Sequence, residues 1–128
     1  RRLGHDPRVA LVSFSNFGNP ARPTADSVAQ AVKILDSRGV DFEYEGDMSA
    51  DVALDHALMK RLYPFARLSG DANVLVMPTL HAANISAKLL GKMVGGTVVG
   101  PRLVGMEKPV QIVTMGAVVS EIVNMAVQ

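Results

Sequence analysis

The sequence contains no cysteine, which excludes disulfide bonds, thiolate metal sites and a cysteine nucleophile and is compatible with a reducing compartment. Nor does either sign of charge dominate: 13 Lys and Arg stand against 12 Asp and Glu, a formal net charge of +1. Without a basic stripe or an acidic tail, nothing marks the chain for nucleic acid. Its three histidines, His5, His56 and His81, lie far apart and lack metal-ligand spacing, so no metal site is expected. Every apolar run falls well short of the ~20 residues that span a bilayer, and Arg1-Arg2 leads into no signal-type apolar segment. Internal repeats and low-complexity segments are absent as well. The expectation is a soluble, cytoplasmic chain with no nucleic-acid or membrane partner.

What is present is an ordinary globular composition, 48% hydrophobic and 20% charged over 128 residues, enough for one domain with a sizeable core. The chain starts at Arg1 without an initiator methionine, and residues 122–128 form an apolar helical pattern with neither a glycine cap nor a proline stop. Both ends therefore read as internal to a longer protein.

Residues 9–14 are a valine-rich run between Pro7 and the loop Ser15-Asn16-Phe17-Gly18-Asn19-Pro20, the pattern of a buried strand feeding a loop. Thr24 fits a helix N-cap, Val28, Val32 and Leu35 recur at helical spacing, and Gly39 suits a left-handed C-terminal residue, giving a helix of about three turns. Residues 40–44 alternate as a second strand, and Glu45-Gly46-Asp47-Met48 reads as a turn into one helix running from Ala50 until Pro64 stops it. Residues 74–77, stopped by Pro78, read as a central parallel strand. Residues 82–94 form a helix with Ile85, Leu89 and Met93 on one face, closed by Gly95-Gly96. Residues 97–99 and, more clearly, 110–113 suggest further strands, and Val119, Ile122, Val123 and Ala126 mark a last helix face. Strands alternating with helices predict an α/β fold, three αβα layers around a mostly parallel sheet.

Several motifs resemble, in order and spacing, the phosphate acetyl/butyryltransferase family. Val9-Ala10-Leu11-Val12-Ser13-Phe14-Ser15 is similar to that family's strand-plus-serine entry, with Asn16 and Phe17 in place of its small polar residues. Gly46-Asp47-Met48 and Asp51-Val52-Ala53-Leu54 correspond to its Gly-Glu-Leu and Asp-Ala-Ala-Leu elements. Asp71 to Pro78 resembles its strand ending in proline, and Asn84-Ile85 with Lys88 its Gly-Asn-Ile-x-x-Lys helix start. Gly100 to Gly116, followed by Glu121, is similar to its C-terminal signature. His81-Ala82-Ala83-Asn84-Ile85-Ser86 and Asn124-Met125-Ala126 resemble one branch, the transferase-like C-terminal region of large bacterial NADP-dependent malic enzymes.

The resemblance implies an isocitrate/isopropylmalate dehydrogenase-like fold of two lobes, with residues 1–106 in the second lobe and 107–128 a return segment toward the first. It implies acetyl-CoA as an effector, upstream malic and NADP-binding domains that hold NADP and a divalent metal, no cofactor in this segment, and a homo-oligomer. It also exposes a departure. The family places a serine and an arginine where Thr114 and Met115 stand, and an aspartate where Glu121 stands. Methionine has neither charge nor N–H donors for phosphate, and losing one charged partner at a desolvated site costs roughly 2–5 kcal/mol.

Residues expected to contact a CoA ester are Ser13, Ser15, Thr79, His81, Asn84, Lys88, Thr114, Met115, Gly116 and Glu121, with Thr114, Met115 and Glu121 forming a degenerate catalytic site. Each also has a structural reading: helix caps for Thr79 and Thr114, a first-turn carboxylate for Glu121, core filler for Met115, a solvated face for Lys88, a junction residue for His81, and turn hydrogen bonds for Ser13 and Ser15. Asp47, Asp51 and Asp55 are spaced as a magnesium site or, preferably, as the acidic face and first turn of a helix. The reading reached is a regulatory, non-catalytic region that senses a CoA ester. An active acyltransferase using Arg102, Lys88 or Lys108 as the cation, and a ligand-free dimerisation module, stand as alternatives.

Overall fold

Strand β1 (Arg8–Val12) occupies the middle of a three-stranded sheet of order β2-β1-β3, with β2 (Glu43–Met48) and β3 (Val74–Val76) both parallel to it. The computed structural model describes residues 4–95 and 98–127 of the chain. It separates into two compact units, Arg1–Ser86 and Ala87–Gln128.

In the first unit the period-two alternation of β1 sends its side chains to opposite faces. Val9 and Leu11 join Val28 and Val32 of helix α1 (Pro23–Arg38) in one buried cluster, flanked by Leu35, Phe42 and Tyr44. Ala10 and Val12 join Met48, Val52, Ala53, Met59 and Leu68 in the other. Both faces of β1 are therefore covered, as a parallel strand requires. α1 begins at Pro23, with Arg22 as N-cap, so Thr24 lies inside the first turn instead of capping it; proline at the first helical position needs no N–H partner. The helix closes on Gly39 at φ 59° and ψ 49°, and its 16 residues exceed the expected three turns.

Three sequence expectations are corrected here. First, β2 starts at Glu43 and runs through Gly46-Asp47, which had read as a turn. Its acidic side chains are tolerated inside because Glu45 and Asp47, 4% and 2% exposed, are each hydrogen-bonded. Second, the helix expected from Ala50 to Pro64 is two pieces, α2 (Ala50–Ala53) and α3 (His56–Leu62). Asp55 breaks it at φ −132° and caps α3, accepting from the Leu58 amide at 2.8 Å. The Ala53 carbonyl accepts from Ala72 at 2.8 Å and the His56 amide donates to Asp71 at 2.7 Å, so groups freed by the break find partners outside the helix. Third, β3 is an edge strand among the described residues, with Val74 and Val76 half exposed.

Helix α4 (Leu80–Met93) contains no buried residue, so the face of Ile85, Leu89 and Met93 is exposed. Gly95 follows at φ 67°; Gly96 and Thr97 lie outside the described residues, as do Arg1 and Arg2. In the second unit, residues 98–99 and 110–113 form no regular strand; among the described residues an isolated antiparallel bridge joins Arg102 and Gln111. The β-branched run at 110–113 supplies propensity but not a partner strand. Helix α5 (Val119–Ala126) closes the described chain.

Candidate ligand site

The loop leaving the C-terminal end of β1, residues 13–19, is bound closely to the end of β2. The Ser13 amide donates to the Met48 carbonyl at 2.9 Å and the Phe17 amide to the Asp47 carbonyl at 2.7 Å. Asp47 also accepts through both carboxylate oxygens, from the Gly18 amide at 2.9 Å and from the Ser15 hydroxyl. The Ser13 and Ser15 hydroxyls lie 3.1 Å apart. Asn16 Oδ1 accepts from both the amide and the hydroxyl of Ser49, at 2.8 and 3.1 Å.

Reciprocal bonds between Asn16 and Asn19, 3.0 and 3.1 Å, close a tight turn whose central residues, Phe17 and Gly18, have φ of 52° and 81°. Phenylalanine adopts the left-handed region rarely. Its ring is held against Tyr63 and Phe65, each centroid 4.9 Å away. The carboxyl ends of parallel strands are where α/β sheets hold ligands, and this loop is tied down there by backbone, carboxylate and aromatic contacts.

Next to it is a second polar network. Glu45 receives Arg67 through Nη2 at 3.0 Å, Nε at 3.2 Å and the backbone amide at 2.7 Å. Arg67 also pairs with Asp36 at 2.7 Å and lies 4.7 Å above the Tyr44 ring, whose hydroxyl donates to Asp36 at 2.7 Å. The hydrogen bonds from Arg67, then Tyr44, hold the Asp36 carboxyl below the usual carboxylate range, while the bond to Glu45 raises Arg67 further. One guanidinium is shared by two carboxylates, which fits a structural tie between α1, β2 and the segment before β3.

Thr79 caps α4: its hydroxyl accepts from the Ala82 amide at 3.2 Å and its carbonyl from Ala83 at 3.0 Å. His81, Asn84 and Lys88 lie exposed on that helix, the last two one turn apart. In the second unit, the Thr114 carbonyl accepts from the Ala117 amide at 3.0 Å, around a turn that carries the fully exposed Met115 and Gly116. Glu121 accepts from the Val118 amide at 2.9 Å, the role of a first-turn carboxylate. Ser13 and Ser15 are thus brought together in the first unit, and Thr114, Met115 and Gly116 share one turn in the second. Asp47 lies in a strand, Asp51 on α2 and Asp55 at the start of α3, so the three do not share a helix face. No group of three potential metal-ligating side chains occurs among the described residues, and no helix there is long and apolar enough to cross a membrane.

The chain belongs to the phosphate acetyl/butaryl transferase family, which it matches over residues 1–128. Its relatives include an NADP-dependent malic enzyme of Rhizobium meliloti, 56% identical over 98% of this chain and 16% of that protein. An NADP-dependent malic enzyme of Escherichia coli is 43% identical over 98% of this chain and 17% of its own length. Among solved structures, the EutD phosphotransacetylase from Staphylococcus aureus superposes with a TM-score of 0.86 at 32% identity, covering 96% of this chain and 38% of that one. The chain therefore spans about a sixth of the malic enzymes and under two-fifths of the transacetylase.

Sequence reasoning missed the part played by Asp47, Asn16, Gly18 and Ser49. The available signal was an acidic residue directly after Gly46, where the resembled family also carries a carboxylate.

Proposed function

We propose that this chain is the transferase-like region of an NADP-dependent malic enzyme and that it binds acetyl-CoA or a related CoA ester without transferring its acyl group. The carrying observation is family membership over the whole chain, taken with Met115 where the resemblance places the family's arginine. Met115 leaves phosphate without a bidentate cation there. The proposed architecture of this region is the isocitrate/isopropylmalate dehydrogenase-like three-layer αβα fold. NADP and a divalent metal would belong to its upstream malic and NADP-binding domains, and the parent would be a cytoplasmic homo-oligomer.

Regulation follows from linkage. A CoA ester changes malate decarboxylation only by the difference in its affinity for two states of the parent. Calorimetric titration of the full-length protein with acetyl-CoA, alongside malate-dependent NADP reduction, tests this. Saturable binding with altered malate kinetics is the expected result; absence of both refutes the reading. Sedimentation with and without acetyl-CoA separates ligand sensing from assembly alone.

A further inference from the structure

Sulfur in this chain is confined to methionine: there are seven methionines and no cysteine. A two-electron oxidant that elsewhere reacts first with a thiolate therefore meets only thioethers here. The fold divides them into two sets. Met48 and Met59 in the first unit's core are 0% exposed, Met77 packs against that core, and Met125 on α5 is 6% exposed. Met93 and Met106, by contrast, are 80% and 57% exposed, and Met115 is fully exposed. All three belong to the second unit.

Met115 is the plainest case. It stands between Thr114 and Gly116 in a turn that is closed through the backbone, from the Ala117 amide to the Thr114 carbonyl at 3.0 Å. Its side chain takes no part in that closure, and its full exposure leaves the sulfur open to solvent. Met93 is the last residue of α4, so a larger polar group there displaces no following turn of helix.

We propose that Met93, Met106 and Met115 are sites of reversible oxidation by hydrogen peroxide, with Met115 the most reactive. The sulfur lone pair attacks one peroxide oxygen and the O–O bond breaks. The proton on the transferred oxygen passes to the departing hydroxide, which leaves as water. Methionine loses two electrons, the peroxide gains them, and the product is the sulfoxide. A sulfoxide reductase reverses the step, oxidising a dithiol to its disulfide as the oxygen leaves as water. Each sulfoxide forms on a side chain already in solvent, so the fold tolerates it; at Met48 or Met59 the same oxygen would bury a polar group among apolar ones. The inference rests on exposure and sulfur chemistry alone, and stands apart from the CoA-ester reading.

The test treats the full-length parent with hydrogen peroxide, quenches it over time and follows oxygen uptake at each methionine by peptide mass spectrometry. Met115 and Met93 are expected to oxidise within about threefold of the rate of methionine in an unfolded peptide, and Met106 within about tenfold. Met48 and Met59 are expected to lag by roughly 100-fold or more, since they wait on opening of the core. Protein oxidised only at the three exposed positions is expected to keep its melting temperature, and sulfoxide reductases for both epimers with dithiothreitol are expected to remove the oxygen. Met115→Leu should lose the fastest oxygen uptake and leave the other rates unchanged. Met115 and Met93 as slow as Met48 in the folded parent overturn the proposal, as does a melting temperature that falls with the first oxygens taken up or a sulfoxide that the reductases cannot reach.

Discussion

Gly46 shows how little room surrounds the end of β2. Its φ is 156°, and an added Cβ would lie 2.7 Å from the Leu11 carbonyl oxygen and 2.9 Å from the Leu11 Cβ. The obstacle is the neighbouring strand, which cannot rotate aside as a long side chain would. Gly46→Ala is expected to lose roughly 3 kcal/mol through overpacking and backbone strain together, read as a lower urea midpoint. Arg67→Ala is expected to lose about 2 kcal/mol, less than the 3–5 of a fully buried pair because its side chain is 48% exposed while that of Glu45 is 5%. Met115, by contrast, touches nothing that resists replacement. Met115→Arg restores the cation that the resembled family carries, and acetyl phosphate formation by the parent is expected to rise from background to measurable. Transferase activity in the unsubstituted parent would instead show that another cation serves.

At the scale of elements, α1, β2 and the segment before β3 are joined by carboxylates, and this sets the response to acid. Asp36 is held below the ordinary carboxylate range by hydrogen bonds from Arg67 and then Tyr44, and Glu43 by the Ser69 amide and then its hydroxyl. Their folded values lie below their unfolded ones, so they contribute stability above the unfolded value and lose it as pH falls through the folded one. Melting temperature is therefore expected to hold near neutrality and fall below about pH 4. The double variant Asp36→Asn, Glu43→Gln should show a shallower acid limb in a calorimetric pH series.

The same elements show what sequence carries and what it does not. β1 and the end of α1 were legible, because a valine run bounded by Pro7 and a glycine after a helical stripe are local signals. The later half of β2 was not. Glu45 and Asp47 read as turn residues, and their partners, Arg67 and Ser15, stand 22 and 32 positions away. The gap between α2 and α3 was hidden for the same reason: apolar spacing continues through it, and the bonds that open it come from Ala72 and Asp71. The position of Ser13 and Ser15 just after a strand was legible, while the carboxylate that Ser15 bonds became visible only in the fold.

At the scale of the whole molecule, the two compact units differ in what holds each together. The first has two buried clusters on opposite faces of β1. In the second, Met125 is the one buried apolar side chain among the described residues, while Leu103, Ile112, Val119, Ile122 and Val123 are substantially exposed. Local opening free energy follows buried apolar contact and protected backbone hydrogen bonds. Amides of β1, bonded on both sides, are expected to exchange only through near-global unfolding. Amides of residues 98–113, which belong to no helix or regular strand and include the isolated Arg102–Gln111 bridge, are expected to exchange orders of magnitude faster. Native-state hydrogen exchange of the 128-residue chain reads both at once. Equal protection in the two regions would show that the second unit has stabilising contacts beyond its own buried residues.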